Sequence, residues 1–204
     1  MKKIMFNDRY GLTEAVLSGQ KTQTRRIVPK SFFSTIHDIE DNNTLVFEDA
    51  FGDWHDIRES RYALEVGEIV AVAQSYKDAG VLFLPEEDDE FGCHDFPADQ
   101  TNGWANKMFV RADLMHHQIR ITNVRVERLQ DISDEDCIKE GIVRWTKDRE
   151  LFKYDLSDRF EMFEWRDMPR TPHEAYAALI DRISGKGTWD SNPFVFVYDF
   201  ELVK

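Results

Sequence analysis

Apolar residues recur along this chain in three rhythms, and each rhythm predicts a different element. Leu12, Ala15 and Val16 fall at helical spacing. Asp8 is placed to cap that segment, and Gly19 to stop it in the left-handed conformation that glycine adopts without strain. Ile69-Val70-Ala71-Val72-Ala73 is an almost unbroken apolar run of strand length, entered through the turn Glu65-Val66-Gly67-Glu68, and such a run is expected in a core. From His117 to Leu129 the pattern alternates instead. Ile119, Ile121, Asn123, Arg125 and Glu127 face one way, and Arg120, Thr122, Val124, Val126 and Arg128 the other. Neither face is wholly apolar, so a bulge or a change of surroundings near Asn123 is expected.

The remaining segments read from their punctuation. Lys2 to Phe6 predicts a short strand, Lys107 to Leu114 another, and Phe194 to Leu202 a final one. Ser133 ahead of Asp134-Glu135-Asp136 gives a serine cap and an acidic first turn to a short helix ending near Gly141. Thr171-Pro172-His173-Glu174 combines threonine at the N-cap, proline at the first helical position and glutamate two residues on. That predicts a helix to Ile183 with a core stripe of Tyr176, Leu179, Ile180 and Ile183, ended by Gly185. Residues 31–62 alternate β-prone pieces such as Leu45-Val46-Phe47 with turn material at Asp41-Asn42-Asn43 and Phe51-Gly52-Asp53, which predicts a hairpin-rich insertion. Residues 143–170, charged and aromatic without a clean period, predict a second insertion, and Pro85 to Glu90 a solvated acidic loop. Short strands, insertions and about three flanking helices predict an α+β fold, a small β-barrel within a single domain over 1–204.

Composition changes this picture in two places. With 42% hydrophobic residues the chain has material for a buried core, which excludes wholesale disorder despite 32% charge. A formal charge of −13 makes one run conspicuous: Gly19-Gln20-Lys21-Thr22-Gln23-Thr24-Arg25-Arg26 gathers three cations and two threonines against the global sign. It sits at a helix-to-strand turn, where Lys21 also complements the negative end of the helix. Were a nucleic acid the partner, the acidic balance would repel a long one unless the cations form one compact patch, and would fit only a short strand or a single nucleotide. Cys93 and Cys137 lack any metal-ligand rhythm, and the neighbours His116-His117 and Cys93-His94 point apart on extended backbone. No metal site is expected, and both thiols are expected reduced and structural. Met1 to Phe6 lacks a long apolar run and a small-residue cleavage site, and no segment is apolar enough to span a bilayer, so a cytosolic protein is expected.

Four blocks, in order, resemble the ASCH family in its bacterial and phage-encoded branch. They are the run from Ala15 to Arg26, the Val66-Gly67-Glu68 turn with its strand, Ile121 to Ser133, and Gly185-Lys186-Gly187-Thr188-Trp189-Asp190-Ser191-Asn192-Pro193. The resemblance implies a PUA-like β-barrel with a cleft at its mouth, lined by the Gly-x-Lys segment, that binds RNA or a modified nucleoside. Within such a binding module, Lys21, Arg25 and Arg26, joined by Lys107, Arg111 and Lys186, contact phosphate and Trp189 stacks on a base, with Thr22, Thr24, Gln74 and Asn192 also binding the ligand. No cofactor and no membrane is implied.

Some small members that this chain resembles at the lysine and threonine are amidohydrolases that deacetylate N4-acetylcytidine. By that resemblance Thr24 is the nucleophile and Lys21 its base, with Asn192 or a backbone N–H as oxyanion donor. The glutamate those enzymes place early in the strand matching His117 to Leu129 falls on Arg120 here, and a glutamate that related phage proteins carry after Gly67 falls on Gln74. Glu68, Asp113 and Glu127 are the available substitutes. Lys21 and Thr24, three apart, share a pocket only where the backbone is irregular. A third function, a protein-interaction module, draws on the acidic exterior and the aromatic stretch Phe160-Glu161-Met162-Phe163-Glu164-Trp165.

Overall fold

The structure, a computed structural model, describes residues 1–29, 36–39, 44–48, 51–85, 95–147 and 151–203. The turn at 41–43, most of the acidic loop, Cys93 and His94 lie outside them. The chain divides into two compact units, one formed by 1–6, 69–120 and 202–204, the other by 7–68 and 121–201.

The strands are β1 (Lys3–Ile4), β2 (Gln23–Ile27), β3 (Ile36–Ile39), β4 (Thr44–Glu48), β5 (Trp54–Asp56), β6 (Ile69–Val72), β7 (Phe83–Leu84), β8 (Phe96–Pro97), β9 (Gln118–Arg128), β10 (Val143–Thr146), β11 (Phe152–Asp155) and β12 (Phe194–Val203). The helices are α1 (Leu12–Leu17), α2 (Tyr76–Ala79), α3 (Asp134–Lys139) and α4 (Pro172–Ser184). Five strands form one sheet in the order β1-β6-β9-β12-β2, and the rest form small sheets: β3-β4-β5, β7-β8 and β10-β11.

The α+β class stands, but the expected closed barrel does not. Closure needs the first and last strands to pair over a useful length. Here β1 offers two residues, which pair parallel with β6, while β2 pairs with β12, and among the described residues the sheet stays open. The helix count is also corrected, from about three to four among the described residues. The missed helix, α2, is a single turn capped by the Ser75 hydroxyl, which accepts from Asp78 N at 3.1 Å. Lys107 to Leu114 is not a strand: Asn106 accepts from Met108 N, and two short 3-10 turns follow at Lys107–Phe109 and Ala112–Leu114. Nor does Asp8 cap α1. Asn7 caps a 3-10 turn over Asp8–Tyr10, and the Asp8 carboxylate instead accepts from the Thr13 hydroxyl inside α1.

In the first unit, Ala71, Ala73, Tyr76, Ala98, Val110 and Met115 form the core, and the Tyr76 hydroxyl accepts from Arg111 N at 2.9 Å. In the second, α4 packs on α3 and β11, burying Tyr176 and Leu179 together with the β12 residues Val195 to Tyr198. The start of α4 is as its sequence dictates, with the Thr171 hydroxyl accepting from Glu174 N at 3.2 Å. Strand β9 changes surroundings at Asn123: Ile119 and Ile121 are buried on one side of the pleat before it, Val124 and Val126 on the other side after it. Past Asn123 the first side carries Arg125 and Glu127, a polar stripe inside the second unit. Among the described residues no helix is long and apolar enough to cross a membrane.

Candidate functional site

The run that the sequence singles out turns inward. Gly19 takes a positive φ of 76° after α1, and the chain then enters β2 with Lys21, Gln23, Thr24 and Arg25 all buried. Gln23 and Arg25 lie on the same side of the strand as Arg125 and Glu127 of β9, and α3 covers them with Asp136 and Glu140, one helical turn apart. The Lys21 ammonium donates to the Glu140 carbonyl at 2.8 Å and pairs with its carboxylate. Glu140 Oε1 accepts from Arg25 Nη1 at 3.1 Å, and Glu127 Oε1 accepts from Arg25 Nη2 at 2.6 Å and Nε at 3.1 Å. Arg125 joins Glu127, Asp136 and Asp199, while Lys139 reaches Asp136 at 2.9 Å. Gln23 fills the remaining gap between Arg25 and Asp199.

Four cations, Lys21, Arg25, Arg125 and Lys139, thus meet four carboxylates, Glu127, Asp136, Glu140 and Asp199. Burial pushes the Lys21 amine down, against the pull of Glu140. Burial also opposes the charge on Arg25, but Glu140 and Glu127 outweigh it and raise its pKa. Arg26 is lowered by burial, with Glu140 opposing. Asp136 is held below the usual carboxylate range: burial works the other way, and Lys139, Arg125 and Arg25 overcome it.

This network binds Lys21 and Arg25 to protein groups. Thr24 alternates with Gln23 and Arg25, so its side chain leaves β2 on the other side of the strand, where its ladder partner is Tyr198. The carboxylate on Lys21 is Glu140, a residue outside the sequence-based candidates. Of the three substitutes considered there, Glu127 is on Arg25, Asp113 is on Arg111 at 2.7 Å, and Glu68 accepts from Glu65 N. Arg120 pairs in the ladder with Ile69.

The other candidates have separate places. Thr22 is half-buried and tied by its backbone to Lys139 and Phe200. Trp189 packs edge-on against His173 at 4.8 Å and against Tyr176, and Asn192 accepts from Gln130 N at 2.8 Å, so both fasten the loop between α4 and β12. Lys186 is exposed in that loop. Gln74, Lys107 and Arg111 belong to the first unit. Gln74 N donates to the Met115 sulfur, the Lys107 ammonium to the Phe6 carbonyl, and Arg111 Nη1 to the Pro85 carbonyl at 3.2 Å.

Tyr198 is almost fully buried, its hydroxyl accepts from Leu64 N at 3.2 Å, and burial pushes the phenol up to about 12. Unfolded tyrosine ionises near 10. The folded state therefore holds this proton where the unfolded state has lost it. The associated stability is complete below about pH 10 and falls by about 2–3 kcal/mol as pH rises to about 12. Urea denaturation across that range is expected to show the fall, and Tyr198→Phe to remove its share, leaving that of Tyr176, whose phenol burial also pushes up.

A large concavity in the second unit lies elsewhere. Val143, Arg144, Trp145, Thr146 and Tyr154 of the β10-β11 hairpin, Asp134, Glu135 and Ile138 of α3, and Pro172 at the start of α4 line a groove of about 1010 Å³ that reaches Gln20, Ser157 and Asp158. The Trp145 indole N–H donates to the Leu156 carbonyl at 2.8 Å, which fixes the ring, and Tyr154 N is held by the Pro169 carbonyl. Aromatic and aliphatic walls with a rim of hydroxyl, amide, guanidinium and carboxylate groups suit a flat ring system bearing hydroxyls, while three carboxylates, Asp134, Glu135 and Asp158, against the one guanidinium of Arg144 disfavour a phosphate within the groove. No local sequence motif announces it, because its walls come from segments separated along the chain.

No family model, no curated protein and no solved structure matches this chain.

Proposed function

We propose that this protein is an ASCH-like binding module for a nucleoside or a short stretch of RNA, and that the base is received in the groove beside Trp145 and Tyr154. The observation that carries the reading is the fixed Trp145 ring in a groove of about 1010 Å³, the upper end of the size range of small-molecule sites. The salt-linked network favours binding over hydrolysis. A general base needs a free amine within reach of the nucleophile, and the Lys21 ammonium is held by Glu140 on the side of β2 that Thr24 does not face.

The test is calorimetric titration of cytidine, N4-acetylcytidine and adenosine into the wild type and Trp145→Ala. Stacking of a base on an aromatic ring is worth about 1–3 kcal/mol, so the variant is expected to bind about 5- to 150-fold more weakly. Absence of saturable binding by every nucleoside, or equal affinity in both proteins, would sink the reading. Chromatography of the N4-acetylcytidine mixture is expected to show no released cytidine.

A further inference from the structure

The groove does not end at Ser157 and Asp158. Gln20, Ser157 and Asp158 also line a second hollow of about 330 Å³. That hollow shares Tyr10 and Arg159 with a third, a cleft of about 440 Å³ formed by Arg9, Tyr10, Arg159, Phe160, Glu161 and Arg182. The three hollows therefore adjoin through shared wall residues, and the row they make along the second unit, a segmented furrow, is aromatic at one end and cationic at the other.

The cationic end is assembled by tertiary structure. Phe160 lies so close to Gly11 that a Cβ at that position would meet the ring at 2.2 Å, and Gly11 also has a positive φ of 63°. This contact brings the turn before α1, with Arg9, against the loop after β11, with Arg159. Arg182, in the last turn of α4, donates to the Met162 carbonyl of the same loop at 3.0 Å. Each guanidinium lies over an aromatic ring: Arg9 over Tyr10, Arg159 over Phe160 and Arg182 over Phe163, at 5.8, 5.5 and 4.8 Å. Rings beneath the forks restrict their orientation and leave donors for a ligand.

These arginines differ from those of the β2 network. Arg159 has an exposed ion pair with Glu14 at 3.3 Å, and Glu161 also lines the cleft. Among the described residues, Arg9 and Arg182 have no carboxylate within ion-pair distance. Exposed guanidinium groups converge on one hollow in a protein of charge −13, an arrangement suited to bidentate binding of phosphate oxygens.

We propose that Arg9, Arg159 and Arg182 form a phosphate-binding cleft for the backbone of a short single-stranded RNA that runs along the furrow from the aromatic groove. The direction of the strand rests on the groove reading above; the phosphate cleft does not.

The test uses a fluorescent single-stranded RNA of roughly six nucleotides, within the range of known single-strand sites, titrated at several salt concentrations. Each phosphate contact on a single strand contributes about 0.7 to the slope of log affinity against log salt. The triple variant Arg9→Ala/Arg159→Ala/Arg182→Ala is expected to reduce that slope by about 2 and the affinity by about tenfold or more. Its affinity for a free nucleoside is expected to be unchanged. The triple lysine variant keeps the charges and is expected to keep the slope; melting curves of both variants check that the fold is retained.

Equal slope and affinity in the wild type and the alanine variant would overturn the proposal. So would arginine-dependent binding of an acidic peptide by a protein that leaves the RNA unbound. If no nucleoside binds the groove and the RNA slope still drops in the alanine variant, the phosphate cleft stands and the groove reading falls.

Discussion

Glu140→Ala is expected to lower the unfolding free energy by about 3–5 kcal/mol, the cost of leaving a buried charge without its partner. Glu140 is the common carboxylate of Lys21 and Arg25, whose side chains are 2% and 1% exposed. Removing it takes the carboxylate partner from the buried Lys21 ammonium, while Arg25 loses one of three and keeps Glu127 and Asp136. Urea denaturation measures the effect. The double variant Lys21→Met/Glu140→Leu is expected to recover most of the loss, because an apolar pair of similar volume avoids the desolvation of both charges. A loss below about 1 kcal/mol in the single variant, the range of an exposed ion pair, would mean that the network is solvated in the protein.

The second large effect is expected at Asp155. Its carboxylate is fully buried and accepts from Leu156 N at 2.7 Å, Met162 N at 2.9 Å and Phe163 N at 2.9 Å. One side chain thereby closes the loop that carries Ser157, Asp158, Arg159 and Phe160, the middle walls of the furrow. Asp155→Ala leaves three backbone donors without their acceptor, each worth about 1–3 kcal/mol when buried. A total loss of about 3–5 kcal/mol is expected, reduced from the sum because part of the loop opens to water. Hydrogen exchange at Met162 and Phe163 is expected to accelerate in the variant, and RNA affinity to fall with it. Unchanged exchange at those two amides would show that the carboxylate does not hold the loop.

What the sequence made legible was local. Thr171 and Pro172 predicted the start of α4, Ser133 the start of α3, and the alternation from His117 to Leu129 predicted both β9 and the change at Asn123. The signal for α2 was also present, Ser75 three residues before Asp78 with Gly80 at a φ of 70°, but one helical turn leaves no apolar periodicity to support it. Lys107 to Leu114 failed for the opposite reason: Met108 and Val110 fit a strand pattern that the Asn106 cap overrides. Sheet closure was beyond reach because it depends on which strands meet at the edges.

The site followed the same division. The cationic run at 21–26 was visible because its members are adjacent, whereas Glu140 lies 119 residues beyond Lys21 and Arg159 pairs with Glu14 across 145. Charges that compensate one another at such separations leave no mark on a local window. The run therefore read as a patch awaiting an anion. The arginines that line the cationic cleft, at 9, 159 and 182, stand singly in sequence.

Gln20 sits in the wall of the furrow, and the next residue is the one bolted to the Glu140 carbonyl. Lys21 is thus the post on which that stretch of wall stands, and its substitution acts on the architecture before it acts on any guest. If the proposed RNA binding holds, its loss in a variant at position 21 reports a fallen wall rather than a missing handshake, whereas Arg9, exposed on a separate turn, is the position whose exchange reads as contact.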